Sequence, residues 1–369
     1  MWRQVFALIV KELLAVLRDQ KSRMVLIGPP LIQLMIFGYA ATFDLNQVPM
    51  AIYNKDHSAP SRELVARFEG APTFHRVATL TQSQSLDALI DSRKVAMVLV
   101  IDERFTHDLL THQSARVQVI VDGRNSNTAM LIAGYSNIIL NDFSQSWGSS
   151  HGAAPIPAVL DLRARYNPTL SSQWFIVPGI VALLTQVVTL LVVGLSVARE
   201  RETGTFDQLL VTPMRPIDIL LGKGFPGLLI GILEASVIIG AAVGWFDIPL
   251  RGGFIALYLG LFLFVIAVTG IGLMISSLVL TQQQALLGVF LFMVPSIILS
   301  GFATPIENMP DWLQTLTAIN PMRYILVIVR SVFLEGATLS TLQAQYFPMA
   351  LIALFTLTAA GWLFRKRTN

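Results

Sequence analysis

No cysteine occurs anywhere in the 369 residues, so disulfide frameworks, thiolate metal sites and thiol catalysis are all excluded. Charge is scarce too. Asp, Glu, Lys and Arg make up 13% of the chain, against roughly a quarter in ordinary globular domains. A phosphate-binding loop is also missing. The pair Gly222-Lys223 is followed by Gly224 rather than Ser or Thr, and no glycine stands at the required position upstream. The chain therefore does not bind ATP through a P-loop, and any ATP-driven work needs its nucleotide chemistry on another polypeptide. No HExxH helix, nucleophile elbow or paired-carboxylate signature is visible.

What the chain has instead is apolar length. Hydrophobic residues make up 54% and the mean hydropathy is +0.63. Several runs reach the ~20 residues that cross a bilayer as a helix. In hydrocarbon the backbone must satisfy its own hydrogen bonds, which makes such runs helical. The pattern predicts a membrane all-α bundle of six transmembrane helices, at about 24–43, 174–197, 224–246, 254–280, 285–302 and 346–364. The first run is too long, and its polar preface of about 23 residues too extended, for a cleaved signal peptide.

Lys and Arg collect in three places: Arg3, Lys11, Arg18, Lys21 and Arg23; Arg199, Arg201, Arg215 and Lys223; and Arg365, Lys366 and Arg367. With six spans all three clusters fall on one side, and the positive-inside tendency makes that side the cytoplasm, with both termini there. Residues 1–23 read as a cytoplasmic or interfacial amphipathic helix. Val5, Ile9, Leu13, Val16 and Leu17 share one face, with Lys11 and Arg18 roughly opposite.

Residues 44–170 differ in composition and hold every histidine: His57, His75, His107, His112 and His151. Strand-like segments at 49–53, 74–80, 95–101 and 117–121 alternate with helical ones at 62–68, 86–92 and 104–112, followed by a longer helix at 127–147. This alternation predicts an inserted α/β domain, extracytoplasmic because it follows a single span. His107 and His112 are five apart, the wrong spacing for two ligands on one helical face, and read as solvated surface residues. Asp122-Gly123-Arg124-Asn125 reads as a strand-ending turn. Residues 171–369 form the remaining transmembrane domain.

Between the second and third runs stands a charged elbow, ARERETGTFDQLLVTPM, from Ala198 to Met214. Balanced charges keep it in water while its apolar residues offer something to grip. Three segments then carry a family resemblance in order: RYNPTLSSQWFIVPG (165–179), ARERETGTFDQLLVTPMRPIDILLGK (198–223) and the stretch from Gln282 to Tyr324, which includes LSGFATPIENMPDWLQ. Together they resemble the permease subunits of bacterial ABC-2 type exporters, the subgroup with a large outer domain between spans one and two.

The resemblance implies a half-transporter. It would pair with a second permease, as homodimer or heterodimer, and each would engage a cytoplasmic ABC ATPase that carries ATP and Mg; this chain itself would carry no cofactor. Other expected partners are the lipid bilayer and a periplasmic adaptor, with no nucleic acid. The elbow, about 199–215, becomes the ATPase-coupling helix. Phe206, Leu209 and Leu210 form its apolar ridge, with Glu200, Arg201, Glu202 and Asp207 as charged flanks, Gly204 as the bend and Pro213 as the stop. The alternative is an interfacial loop whose charges only fix topology. Residues of about 303–318 become a re-entrant outer gate, broken at Gly301, Pro305 and Pro310 and carrying Glu307; the alternative there is an amphipathic surface loop.

Within the spans, Gln186 and Glu234 are the candidate pathway residues. A charge at mid-bilayer costs on the order of 2.5–3.5 kcal/mol on insertion scales. Glu234 is therefore read either as a substrate-attracting carboxylate or as a structural one bonded to a neighbouring helix. Gly270, Gly272, Ser276 and Ser277 predict close helix packing in span four. The expected activity is export of amphipathic small molecules, drugs included, from a bacterial inner membrane. Alternatives are a docking and assembly protein of the envelope, or an exporter of lipid or glycan.

Overall fold

The computed structural model describes residues 2–18, 20–40, 47–81, 85–92, 94–111, 113–124, 126–151, 171–206 and 214–368. In chain order its elements are α1 (Trp2–Arg18), α2 (Gln20–Ala40), β1 (Val48–Asn54), α3 (Ala59–Gly70), β2 (Phe74–Thr79), α4 (Ser85–Asp91), β3 (Met97–Ile101), α5 (Phe105–Leu110), β4 (Val117–Val121) and α6 (Ser126–Ser150). There follow α7 (Ser172–Glu202), α8 (Pro216–Gly244), α9 (Phe254–Leu278), α10 (Gln282–Ile298), α11 (Asp311–Leu316), α12 (Pro321–Arg330) and α13 (Gln343–Thr368). Two compact units result: Met1–Thr42 with Ala164–Asn369, and Phe43–Arg163.

The second unit is a mixed four-stranded sheet in the order β2-β1-β3-β4. β1 runs parallel to β2 and to β3, and β4 closes antiparallel on β3. Side chains alternate across a strand, and the burial follows. Met50, Ile52, Met97, Leu99 and Ile101 form one core with Leu64, Phe68, Phe105, Ile132 and Phe143 from the helices. Ala51 and Val98 point the other way, into a smaller core with Leu80, Leu86 and Val95. Ser58 caps α3, accepting a hydrogen bond from the Ser61 amide. Arg67 then ties α3 to α6 through Asp142 at 2.6 Å and the Ser146 hydroxyl at 2.6 Å.

The first unit is helical. Among the described residues, four helices are long and apolar enough to cross a bilayer: Ser172–Glu202, Ile217–Gly244, Phe254–Leu278 and Gln343–Lys366. A fifth candidate is the pair Asp311–Ile319 and Pro321–Glu335, bent by 85°. Four of the six expected spans are met by these helices, and the bent pair is a further candidate. The expected first span corresponds to α2, which carries Pro29 and Pro30 in its interior. The expected fifth corresponds to α10, which at 17 residues falls short of the ~20 that span hydrocarbon. It ends early because the chain turns at Gly301, whose φ of +85° is a left-handed conformation that glycine adopts without strain.

Helix α9 packs against α7, α8, α12 and α13. Lipid gives packed helices no hydrophobic drive, so small residues that let backbones approach do the work. A Cβ on Gly270 would collide with Thr356 of α13, and one on Gly272 would sit 3.0 Å from Val193 of α7. Ser276 accepts hydrogen bonds from the Val197 and Ala198 amides at 3.1 and 3.3 Å. Thr356 donates to the Ala267 carbonyl at 3.2 Å. The close packing expected of span four is therefore present.

Candidate functional site

The elbow joins α7 to α8, and its two roots are tied together by charge. Lys223, on the first turns of α8, is 1% exposed. Its Nζ lies 2.5 Å from Glu200 Oε2, near the end of α7, and 3.3 Å from Glu12 Oε1 on α1. Lys11 closes the group from outside, 2.8 Å from Glu200 Oε1 and 3.9 Å from Glu12. Burying one ammonium costs several kcal/mol unless opposite charge compensates it. Two carboxylates meet that demand, and Lys11 balances the second carboxylate. Burial opposes the charge of Lys11, but its hydrogen bond and proximity to Glu200 raise its ammonium above the ordinary lysine value.

Helix α1 reaches this group through Val5 and Leu8, both buried. Leu8 seats where a Cβ on Gly222 would stand. The face used is therefore Val5, Leu8 and Glu12, rotated from the one that apolar spacing marks. From sequence Lys223 reads as one of the basic topology residues and Glu12 carries no reading; the local signal for the pair is a lysine two turns into an apolar helix, flanked by Gly222 and Gly224.

The neighbouring elbow residues grip other helix ends. Arg201 donates to the Ser277 and Val279 carbonyls at 3.1 and 3.0 Å, at the C-terminus of α9. A cation there complements the helix dipole. Glu202 accepts from the Gln282 amide at 2.9 Å and its side chain at 3.1 Å, at the N-terminus of α10, where an anion is favoured. Gly204 takes a φ of +71° as the chain leaves α7. Phe206 turns inward: it is 7% exposed and meets Phe364 edge-on at 5.9 Å, with Val193, Val197, Ile219 and Leu220 around it. It anchors the start of the elbow instead of standing outward as part of a ridge. Asp207, Leu209, Leu210 and Pro213 lie outside the described residues.

Of the two pathway candidates, Gln186 is fully buried and bonded within the chain. Its amide donates to Ser296 Oγ on α10 at 3.1 Å. Ser296 Oγ donates to Asn320 Oδ1 at 2.8 Å, and Asn320 Nδ2 returns to the Ser296 carbonyl at 2.7 Å. Asn320 also caps α12, accepting from the Met322 amide at 3.1 Å. This buried chain joins α7, α10 and α12. Glu234 on α8 has both carboxylate oxygens buried without a hydrogen-bond partner among the described residues.

At the expected outer gate, Pro305 precedes a short turn at Ile306–Asn308 that exposes Glu307, and Pro310 precedes α11. The short arm of the broken segment ends at Ile319. The segment bends at Asn320 and continues as α12, whose Met322, Ile325, Leu326, Ile328 and Val329 are buried in the bundle core. Arg330 closes α12 with its guanidinium 3.7 Å from the Phe175 ring centre and 3.5 Å from the Gly301 carbonyl. Neither Arg330 nor Asn320 was singled out from sequence.

A family model described as ABC-2 family transporter protein matches residues 23–362. Over 367 residues, 100% of both chains, the sequence is 38% identical to the Probable multidrug ABC transporter permease YbhR of Escherichia coli (strain K12). It is 33% identical over 343 residues, 91% of this chain and 89% of the relative, to the Probable multidrug ABC transporter permease YbhS of the same organism. Against the Inner membrane transport permease YhhJ, also from that strain, identity is 28% over 368 residues, 99% and 97% of the two chains. With a family match across most of its length, whole-length permease relatives and four to five apolar spans, the chain belongs to the ABC-2 family of transporter proteins, as a multi-pass membrane permease subunit of an ABC exporter and not an enzyme.

Proposed function

We propose that this permease moves amphipathic small molecules, drugs among them, out across a bacterial inner membrane. The energy comes from a separate ATPase subunit that binds ATP and Mg, and the pathway forms between this chain and a second permease, identical or similar. The names of two relatives, each a probable multidrug ABC transporter permease, support the substrate class. In this reading α2 and α10 complete six spans, the three basic clusters and both termini lie in the cytoplasm, and the sheet-containing unit lies outside. A periplasmic adaptor would meet the complex on that outer side.

The observation that carries the mechanism is the 2.5 Å pairing of Lys223 with Glu200. An elbow pushed by ATPase closure can transmit displacement only if its two roots move together. The ion pair couples α7 to α8, Glu12 and Lys11 add α1, and Arg201 and Glu202 carry the same displacement to α9 and α10. Residues 207–213 supply the contact with the ATPase, with Leu209 and Leu210 as the apolar grip. The test is ATP-driven efflux in vesicles that hold the permease and its ATPase. Leu209→Asp with Leu210→Asp should abolish efflux while the permease remains folded in the membrane. Undiminished efflux would remove the coupling role.

A further inference from the structure

Helices α8, α9 and α13 enclose a groove of about 1020 Å³ that none of the residues discussed so far explains. Its walls are apolar: Leu221, Phe225 and Leu228 from α8 face Ile266 and Leu273 from α9. Leu221 and Phe225 are 53% and 45% exposed, so the groove opens sideways from the bundle. Leu221 to Leu228 rises about 10 Å along the helix, enough for several methylene groups of an extended chain. One end is different. Arg215 and Arg365 both line it, each exposed, beside Trp362. Lys366 Nζ stands 5.3 Å from the Trp362 ring centre and adds a third cation at that rim. No aspartate or glutamate occurs among the described residues that line it.

We infer that this groove is a binding site for an anionic phospholipid. Guanidinium groups match phosphate oxygens in geometry and charge. Tryptophan favours the depth of the headgroups, and the apolar wall suits an acyl chain. A second copy of the permease is a poorer occupant. A two-fold contact through this face would bring two clusters of Arg215, Arg365 and Lys366 into one interface, and like charges so gathered repel. The leaflet, cytoplasmic, rests on the orientation proposed above; the chemistry of the groove does not.

The experiment places a photo-reactive phenylalanine analogue at Leu221 in the full chain, reconstituted in vesicles of phosphatidylcholine with phosphatidylglycerol. Illumination should link the chain to phosphatidylglycerol in excess of its share of the membrane. Arg215→Ala with Arg365→Ala should lower that capture at least fivefold, the order expected for basic residues near a membrane surface. Arg215→Lys with Arg365→Lys keeps the charge but loses the planar fork and should capture more than the alanine variant and less than the unaltered chain, which separates recognition from a folding defect. Capture in proportion to membrane composition, equal capture by the alanine variant, crosslinking to a second protein chain or to another part of this one, or no lipid adduct would each overturn the assignment. Transport is not read, so this result stands apart from the test of coupling.

Discussion

Lys223 and Glu200 stand 2.5 Å apart on opposite sides of the elbow, one on each of the two helices that it joins. Their pairing brings the two spans to one point, where Glu12 of α1 joins them. The lysine is buried, so the pair is shielded from water and salt in a way that surface pairs are not. A rigid joint at this place is what a mechanical input needs.

Removing the lysine should show it. Lys223→Met leaves Glu200 and Glu12 close together without the cation between them. Loss of one partner from a buried ion pair costs about 3–5 kcal/mol. The apparent Tm of the purified permease should fall sharply, and Lys223→Met combined with Glu200→Gln should recover part of the loss. Thermal unfolding of the two variants side by side checks this; an unchanged Tm in the single variant would mean the joint is not rigid.

Gly270 tests the packing of α9 on α13. A Cβ there meets Thr356 and the backbone of Leu357. Gly270→Val should cost about 1–3 kcal/mol, the usual scale of overpacking, and should lower the yield of folded protein. Gly240, which has open space around it, is the control: Gly240→Ala should lower neither yield nor Tm in the same assay.

Much of the fold was legible because periodicity carries it. The run Val95–Ile101 contains β3, and Met97, Leu99 and Ile101 alternate with Val98 as a two-faced strand requires. The long apolar runs gave α7, α8, α9 and α13. Helix α12 was not legible, since Arg323 and Arg330 give it the look of a surface segment. It is buried because those charges are handled locally. Arg323 donates to Thr317 Oγ1 at 2.6 Å and Arg330 lies on the face of Phe175. At the elbow, composition marked the region but not the direction of its side chains. Phe206 reads as part of a ridge, yet Phe364 waits for it from the far end of the chain. Glu200 reads as a solvated flank, yet its partner Lys223 belongs to the next helix. Pairings between distant segments leave no local trace.

Asn320 marks the hinge of the broken segment. It bonds to Ser296 through both side-chain atoms and caps α12. Asn320→Ala should cost about 1–3 kcal/mol by leaving buried polar groups unsatisfied. The effect should be local: amide exchange should quicken across residues 321–335 while α8 stays protected. Uniform loss of protection in both helices would point to general unfolding and remove the hinge role.

In the proposed mechanism the elbow faces the cytoplasm and receives the ATPase. Because the chain has no cysteine, Thr205→Cys places a single thiol on an exposed position at its start. A membrane-impermeant maleimide should label it in inside-out vesicles and not in right-side-out ones, and bound ATPase should protect it. Labelling from the outer side, or equal labelling with and without the ATPase, would rule out a cytoplasmic elbow that docks the ATPase.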